Sequence, residues 1–191
     1  MAIPREALDL IKEFEGYLKQ LGDGSGRVKP YLCPARVATI GYGSTFYEDH
    51  RKVQLSDPPI TRPRAEALLA FEVGQICEPA VDRYVRVPLH PLARGALVSF
   101  AFNCGTGALK SSTLLKRVNA GRWDDVPREF SKWRMGGGVV LRGLVRRRAA
   151  EAEMFMTGVR LGPQAAAPPL PTRPPGTSPT WWGRFWTWIT G

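Results

Sequence analysis

Apolar residues recur with helical spacing at the start of the chain. Ala7, Leu10, Ile11, Phe14 and Leu18 fall on one side of a 3.6-residue period, Pro4 stands near the first helical position, and Gly16 follows Glu15. This pattern predicts a helix from about residue 4 to 15. From 17 to 46 the pattern changes. Glycines and prolines (Gly22, Gly24, Gly26, Pro30, Pro34, Gly41, Gly43) punctuate short β-type runs, VKPYL and VATIGYG, which predicts a small antiparallel sheet of hairpins. Residues 47–60 are polar, end in Pro58-Pro59 and are expected to form a loop.

Helical periodicity then returns. Thr61 has the form of an N-cap, and Ala65, Leu68, Leu69, Val73 and Ile76 predict a helix over 62–78. From Pro91 to about Asn103, Leu92, Ala96, Leu97, Phe100 and Ala101 leave little polar face, as a buried central helix requires. Ser111 or Ser112 caps a helix running to Asn119 before Gly121, and another opens at Asp124 and runs through Trp133. Gly136-Gly137-Gly138 reads as a loop, and a last helix carries LVRRRAAEAEMFM to Gly158. Trp123 and Trp133 are expected in the core of this helical part, and Cys77 and Cys104 as buried thiols.

The composition shifts after Leu161. Residues 162–180 hold seven prolines with Ala, Ser and Thr, which predicts a semi-rigid or disordered linker. Residues 181–191, WWGRFWTWITG, hold four of the six tryptophans. Expected organisation is therefore a domain over 1–161, a proline-rich linker over 162–180 and a tryptophan-rich tail over 181–191.

Charge narrows the class of partner. A formal net charge of +10 points to a polyanion: nucleic acid, anionic lipid or bacterial cell wall. Cys33, Cys77 and Cys104 are odd in number and widely spaced, and His50 and His90 have no neighbour at ligand spacing, so neither a disulfide framework nor a metal site is expected. No apolar run reaches the roughly 18 residues of a membrane-spanning helix, and acidic residues interrupt the N-terminal segment where a signal peptide needs apolar ones. The chain is expected to stay at first in the cytoplasm where it is made.

Candidate chemistry lies in 13–45. Glu15 stands at the end of a helix with an apolar face, where partial desolvation would favour the protonated form that a general acid needs. Alone it would read as a solvated surface glutamate, and the residues around it reverse that reading. It is followed by Tyr31-Leu32-Cys33-Pro34-Ala35 and by Thr39-Ile40-Gly41-Tyr42-Gly43, with five residues between Cys33 and Thr39. This set resembles the phage-type lysozymes, glycoside hydrolase family 24, whose pattern is a Glu-Gly at a helix end, an Asp or Cys, five residues, then a Thr and a Gly-x-Gly turn. Ala96–Asn103, Ser111–Leu115, Asn119-Ala120-Gly121 and Gly143-Leu144 with Arg146-Arg147-Arg148 and Glu151 follow in that family's order. The resemblance covers about residues 4–158.

What the resemblance implies is a lysozyme-like α+β fold, an N-terminal helix and small antiparallel sheet packed against a larger helical lobe. Glu15 would be the acid, with Cys33 and Thr39 holding a water on the opposite face of the sugar. Because a thiol is a poorer base than a carboxylate unless ionised, Cys33 is assigned to positioning the water or to partial base work. Arg147 would pair with Glu15, Arg146 and Arg148 would belong to a solvated basic face, and Phe102, Asn103 and Thr113 would line the sugar cleft, Phe102 being equally compatible with core. The implied partner is bacterial peptidoglycan, cleaved without a cofactor once the membrane is breached, and the chain is expected to be a monomer.

Two departures stand out. Glu15 and Cys33 are farther apart than is usual in that family, so 17–29 carries an insertion, expected as a solvated loop since surface insertions cost little. Asp23 inside it could be mistaken for the second catalytic residue, but Lys29 stands where a threonine would be required. Ser44 occupies a place where many relatives carry histidine. Three rivals are kept: a lytic transglycosylase, which uses one acid and no water; a non-catalytic wall-binding protein acting through its tail; and a nucleic-acid binder, disfavoured because the arginines are scattered and no recognition motif appears. Trp181, Trp182, Phe185, Trp186, Trp188 and Ile189 suit a membrane interface, or packing on the chain's own domain.

Overall fold

The computed structural model describes residues 3–17, 21–33 and 36–162. Expectations for Leu18 and for 163–191, the linker and tail, lie outside the described residues. The chain begins with α1 (Arg5–Glu15), whose Ala7 and Ile11 are fully buried, and then forms a small lobe around the hairpin of β1 (Tyr31–Leu32) and β2 (Ala38–Thr39). These strands are antiparallel, with Tyr31 opposite Thr39 and Leu32 opposite Ala38. Isolated bridges Val28–Ile60, Ile40–Ser44 and Phe46–Lys52 extend the lobe. Its own small core consists of Val28, Ile40, Val53 and Leu68.

The helical lobe follows. It contains α2 (Arg62–Glu72), α3 (Glu78–Tyr84), α4 (Pro91–Cys104), α5 (Thr106–Ser111), α6 (Thr113–Asn119), α7 (Val126–Ser131) and α8 (Arg142–Leu161), with a hairpin of β3 (Met135–Gly136) and β4 (Val139–Val140) before α8. At its centre is α4. Pro91 starts it without losing a needed donor, and the His90 Nδ1 accepts the Leu92 N–H at 3.2 Å. Ala93, Ala96, Leu97, Val98, Phe100 and Ala101 are all buried, so α1, α8 and α3 can pack around this helix.

Several boundaries differ from those the sequence suggests. A helix expected over 62–78 continues to Tyr84, but through a π-turn at Val73–Cys77. Pro79 supplies the reason: it has no N–H for an α-helical bond, and a widened turn absorbs the mismatch. The Asp124–Trp133 helix is a 3₁₀ turn (Trp123–Asp125) leading into the shorter α7. Trp123 and Trp133 are half-buried, and they edge onto Phe155 and Phe100 with ring centroids 6.0 Å and 5.2 Å apart. Gly136 is the end of β3 and Gly137-Gly138 the turn of a hairpin, not merely a loop, and α5 was not expected.

The last helix is also longer than expected. Gly158 does not end it; a Cβ there would lie 2.5 Å from the Ala93 backbone N, so this glycine lets α8 press against α4. The inserted loop is built from local bonds: Asp23 Oδ1 accepts the Ser25 N–H at 2.9 Å, and Arg27 Nη2 donates to Asp23 Oδ2 at 3.2 Å. Gly22, Gly24 and Gly26 face open space, as a solvated loop would.

Candidate active site

Glu15 is the last residue of α1, and Gly16, at φ 71°, turns the chain away while its N–H bonds the Lys12 carbonyl. The side chain points across to the other lobe. Arg147, in the second turn of α8, donates from Nη1 to Glu15 Oε1 at 2.6 Å, from Nε to Glu151 Oε1 at 3.2 Å and from Nη2 to the Ser99 carbonyl at 3.3 Å. Arg147 is 2% exposed, so these bonds fix it. The pairing of Glu15 with Arg147 expected from the resemblance is therefore what the structure has.

Arg148 departs from expectation. It is 1% exposed, not solvated. Its Nη1 reaches Cys104 Sγ at 2.9 Å, its Nη2 reaches Asn103 Oδ1 at 3.0 Å and Glu151 Oε1 at 2.9 Å, and its guanidinium lies 5.0 Å from the centroid of Phe100. Glu151 is the anion at the centre of this network, and Ser99 Oγ also donates to it at 2.8 Å. Burial pushes the Glu151 carboxyl up, and the guanidiniums of Arg148 and Arg147 oppose that. With both arginines bonded to one of its oxygens, the carboxylate is the form that balances the local charge. Arg146 is exposed, as expected. Cys104, expected buried, is half-buried, and its thiol is pushed up by burial; Cys77 is buried, with its thiol pushed up to about 12.

Glu15 opens onto a groove of about 390 Å³ lined by Glu13, Phe14, Asn103, Leu141, Leu144 and Arg147 among others. Of the three residues expected to line the sugar cleft, Asn103 is at this groove. Phe102 instead packs half-buried against the core, and Thr113 stands exposed at the first position of α6, behind a cap that Ser112 supplies by accepting the Leu115 N–H.

Cys33 follows β1 and Thr39 ends β2, and Val37, opposite Cys33, links the two. The Val37 carbonyl accepts both the Cys33 N–H and the Thr39 hydroxyl at 3.0 Å, so one oxygen fixes both residues. Thr39 is 3% exposed and Cys33 half-buried. Tyr31, paired with Thr39 in the sheet, is near enough to feel the charge of the acid. Its phenol is pushed up first by burial and then by the nearby Cys33 and Glu15. Gly43 closes the far side of the acid: at φ 105°, its missing Cβ would stand 4.0 Å from Glu15 Oε2.

Sequence reasoning passed over one more carboxyl. Glu72, at the end of α2, is pushed up by burial; Ser44 is close enough to temper the shift, and Glu15 adds to it. Both Ser44 Oγ and Glu72 Oε2 are nevertheless buried without a well-formed hydrogen bond among the described residues. Ser44, where histidine was noted as the common alternative, thus supplies no cation to this half-buried acid. Only the unusual residue at 44 could have signalled it. Among the described residues no group of three or more His, Cys, Asp or Glu side chains is arranged to hold a metal ion.

Known proteins resemble this chain in sequence and in fold. The family model described as phage lysozyme matches residues 12–151. The chain belongs to the phage lysozyme family. It is 39% identical over 160 residues to an endolysin of Bacillus phage B103, covering 83% of this chain and 55% of that protein. It is 35% identical over 159 residues to an endolysin of Acyrthosiphon pisum secondary endosymbiont phage 1, covering 81% and 98%. The chain thus spans about half the length of the first relative and nearly all of the second. Among solved structures, an endolysin from Escherichia coli O157:H7 phage FAHEc1 superposes with a TM-score of 0.70 at 31% identity, covering 82% of this chain and 94% of that one. The expected α+β phage lysozyme fold, small sheet against helical lobe, is therefore the one this chain adopts. Among the described residues no helix is long and apolar enough to cross a membrane.

Proposed function

We propose that this protein is an endolysin that hydrolyses the β-1,4 bond between N-acetylmuramic acid and N-acetylglucosamine in bacterial peptidoglycan. One observation carries the assignment: a glutamate at the mouth of a groove, held through Oε1 by the buried Arg147, with Oε2 turned toward Gly43. Glu15 gives its proton to the glycosidic oxygen as the bond from the muramic C1 breaks. A water held by Cys33 and Thr39 adds to C1 from the opposite face, giving inversion; its proton leaves on that side to solvent, and Glu15 takes up a proton from solvent once product departs. The Thr39 hydroxyl hydrogen is engaged by Val37, so its oxygen is left to accept from the water. Asn103 is the polar contact for a sugar at the groove. The net charge of +10 suits an anionic wall, which the enzyme reaches once the membrane is breached.

Mass spectrometry of fragments released from purified peptidoglycan by the parent and by Glu15→Gln tests this. Reducing muramic ends from the parent, absent with the variant, are expected. Anhydro-muramic ends would make the protein a lytic transglycosylase, and no fragments from either would end the enzyme assignment. Membrane contact through 181–191 is a separate proposal, supported by the aromatic composition alone. Binding to anionic vesicles that survives deletion of 162–191 would end it.

A further inference from the structure

On the helical lobe a second groove, of about 470 Å³, shares no lining residue with the groove at Glu15. Arg83, Arg86, Lys110 and Lys116 line it, and no acidic residue does. Among the described residues none of these four side chains is in an ion pair, unlike Arg94, which Glu78 and Asp82 neutralise. The walls are fixed: Asn119 Oδ1 accepts the Arg86 N–H at 2.8 Å, and Asn119 Nδ2 donates to the Tyr84 carbonyl at 3.0 Å, tying the chain after α3 to the end of α6. Tyr84 adds an aromatic face, with Lys110 Nζ 5.8 Å from its centroid.

We propose that this groove binds a phosphate-bearing polyol or sugar polymer of the bacterial wall, holding the enzyme on its substrate. The choice of polymer rests on the peptidoglycan assignment; the anion preference rests on the groove. Four uncompensated cations in a concavity focus a positive field, and arginine forks match phosphate oxygens. An aromatic beside them suits a polyol or sugar unit between phosphates. A concave site admits one flexible chain, whereas a flat bilayer would meet an outward face. One tyrosine is too few for the successive stacking platforms that single-stranded nucleic acid uses.

The test is titration of the full chain with soluble poly(glycerol phosphate) at several salt concentrations. The expected result is salt-dependent binding, weakened about tenfold or more in Lys110→Gln/Lys116→Gln, with a shallower salt dependence. The charge-matched Lys29→Gln/Lys52→Gln control, on the small lobe, should stay within about twofold of the parent. Equal losses in both variants would mean that net charge, not the groove, binds the polymer, and would overturn the proposal. So would tighter binding of a single-stranded oligonucleotide or of anionic vesicles through Lys110 and Lys116. Fragment release from polymer-free peptidoglycan reads hydrolysis separately: it should be the same in the parent and both variants, and its absence in the parent would overturn the hydrolase alone.

Discussion

Arg147 Nη1 stands 2.6 Å from Glu15 Oε1, joining α8 to the end of α1 across 132 residues of chain. The arginine is buried and the acid half-buried, so the bond positions the acid at the boundary between lobes. Arg147→Met should cost about 3–5 kcal/mol of stability, because Glu151 would lose one of its two cations in the interior. Arg147→Lys keeps the charge but has no fork to span Glu15, Glu151 and the Ser99 carbonyl at once. Urea unfolding should place the lysine variant between parent and methionine variant. Its fragment release should fall well below what the residual folded fraction accounts for, and release in proportion to folded protein would show that Arg147 is structural only.

Glu72 makes stability depend on pH in a defined direction. Burial raises its folded-state pKa, so between the unfolded carboxyl range and the folded value the native state holds the proton more tightly than the unfolded chain. Its stabilising contribution is full below about pH 4, the ordinary glutamate range, and is lost as pH rises through the folded value. Glu72→Gln removes that loss, and its amide can donate to Ser44 Oγ. Relative to the parent, the variant should gain thermal stability at pH 8 over pH 4. A constant difference between the variant and the parent at both pH values would contradict a carboxyl whose pKa burial raises.

How far the residues alone led can be judged from such positions. The pairing of Glu15 with Arg147 was legible because the resembling blocks keep a fixed order along the chain, and the catalytic roles of Glu15, Cys33 and Thr39 belong to the proposal. The apolar stripe of α4 was legible because a helix buried on most sides needs no polar face. Arg148 was not: its burial depends on Glu151, Asn103 and Cys104 converging from two helices, and an arginine triplet carries no local sign of that. The coupling of Glu72 with Ser44 spans 28 positions and belongs to tertiary packing. Phe102 takes the core alternative left open for it, and Thr113 does not line the groove, since order along a chain does not say which side of a helix end meets it.

In the proposed mechanism Cys33 does the work of a carboxylate, which yields a prediction about the water. Cys33→Ala should lower the rate of fragment release about 100-fold, the lower range for losing an acid–base or positioning group, with little change in stability. Thr39→Val keeps the buried volume and loses the hydroxyl, so it should slow the rate similarly, plus a modest stability cost from the lost bond to Val37. Cys33→Asp should retain more activity than Cys33→Ala. Full activity in Cys33→Ala would remove the thiol from the mechanism.

Gly158 separates a helix stop from a close approach. If it ended α8, Gly158→Ala would be harmless or would extend the helix, gaining as much as about 1 kcal/mol of propensity. The structure has α8 continuing to Leu161, and a Cβ at 158 would meet the Ala93 backbone N at 2.5 Å and its Cβ at 2.8 Å. Backbone cannot rotate away as a flexible side chain can, so α8 and α4 would have to separate. The strain of such overpacking, about 1–3 kcal/mol, exceeds the propensity gain, and Gly158→Ala should lower the melting temperature. Because Arg147 rides on α8 and Ser99 on α4, the same shift should loosen the hold on Glu15 and reduce hydrolysis in protein that is still folded. Measuring fragment release well below the melting temperature checks this; a variant as stable and as active as the parent would mean that the two helices are not in the contact described.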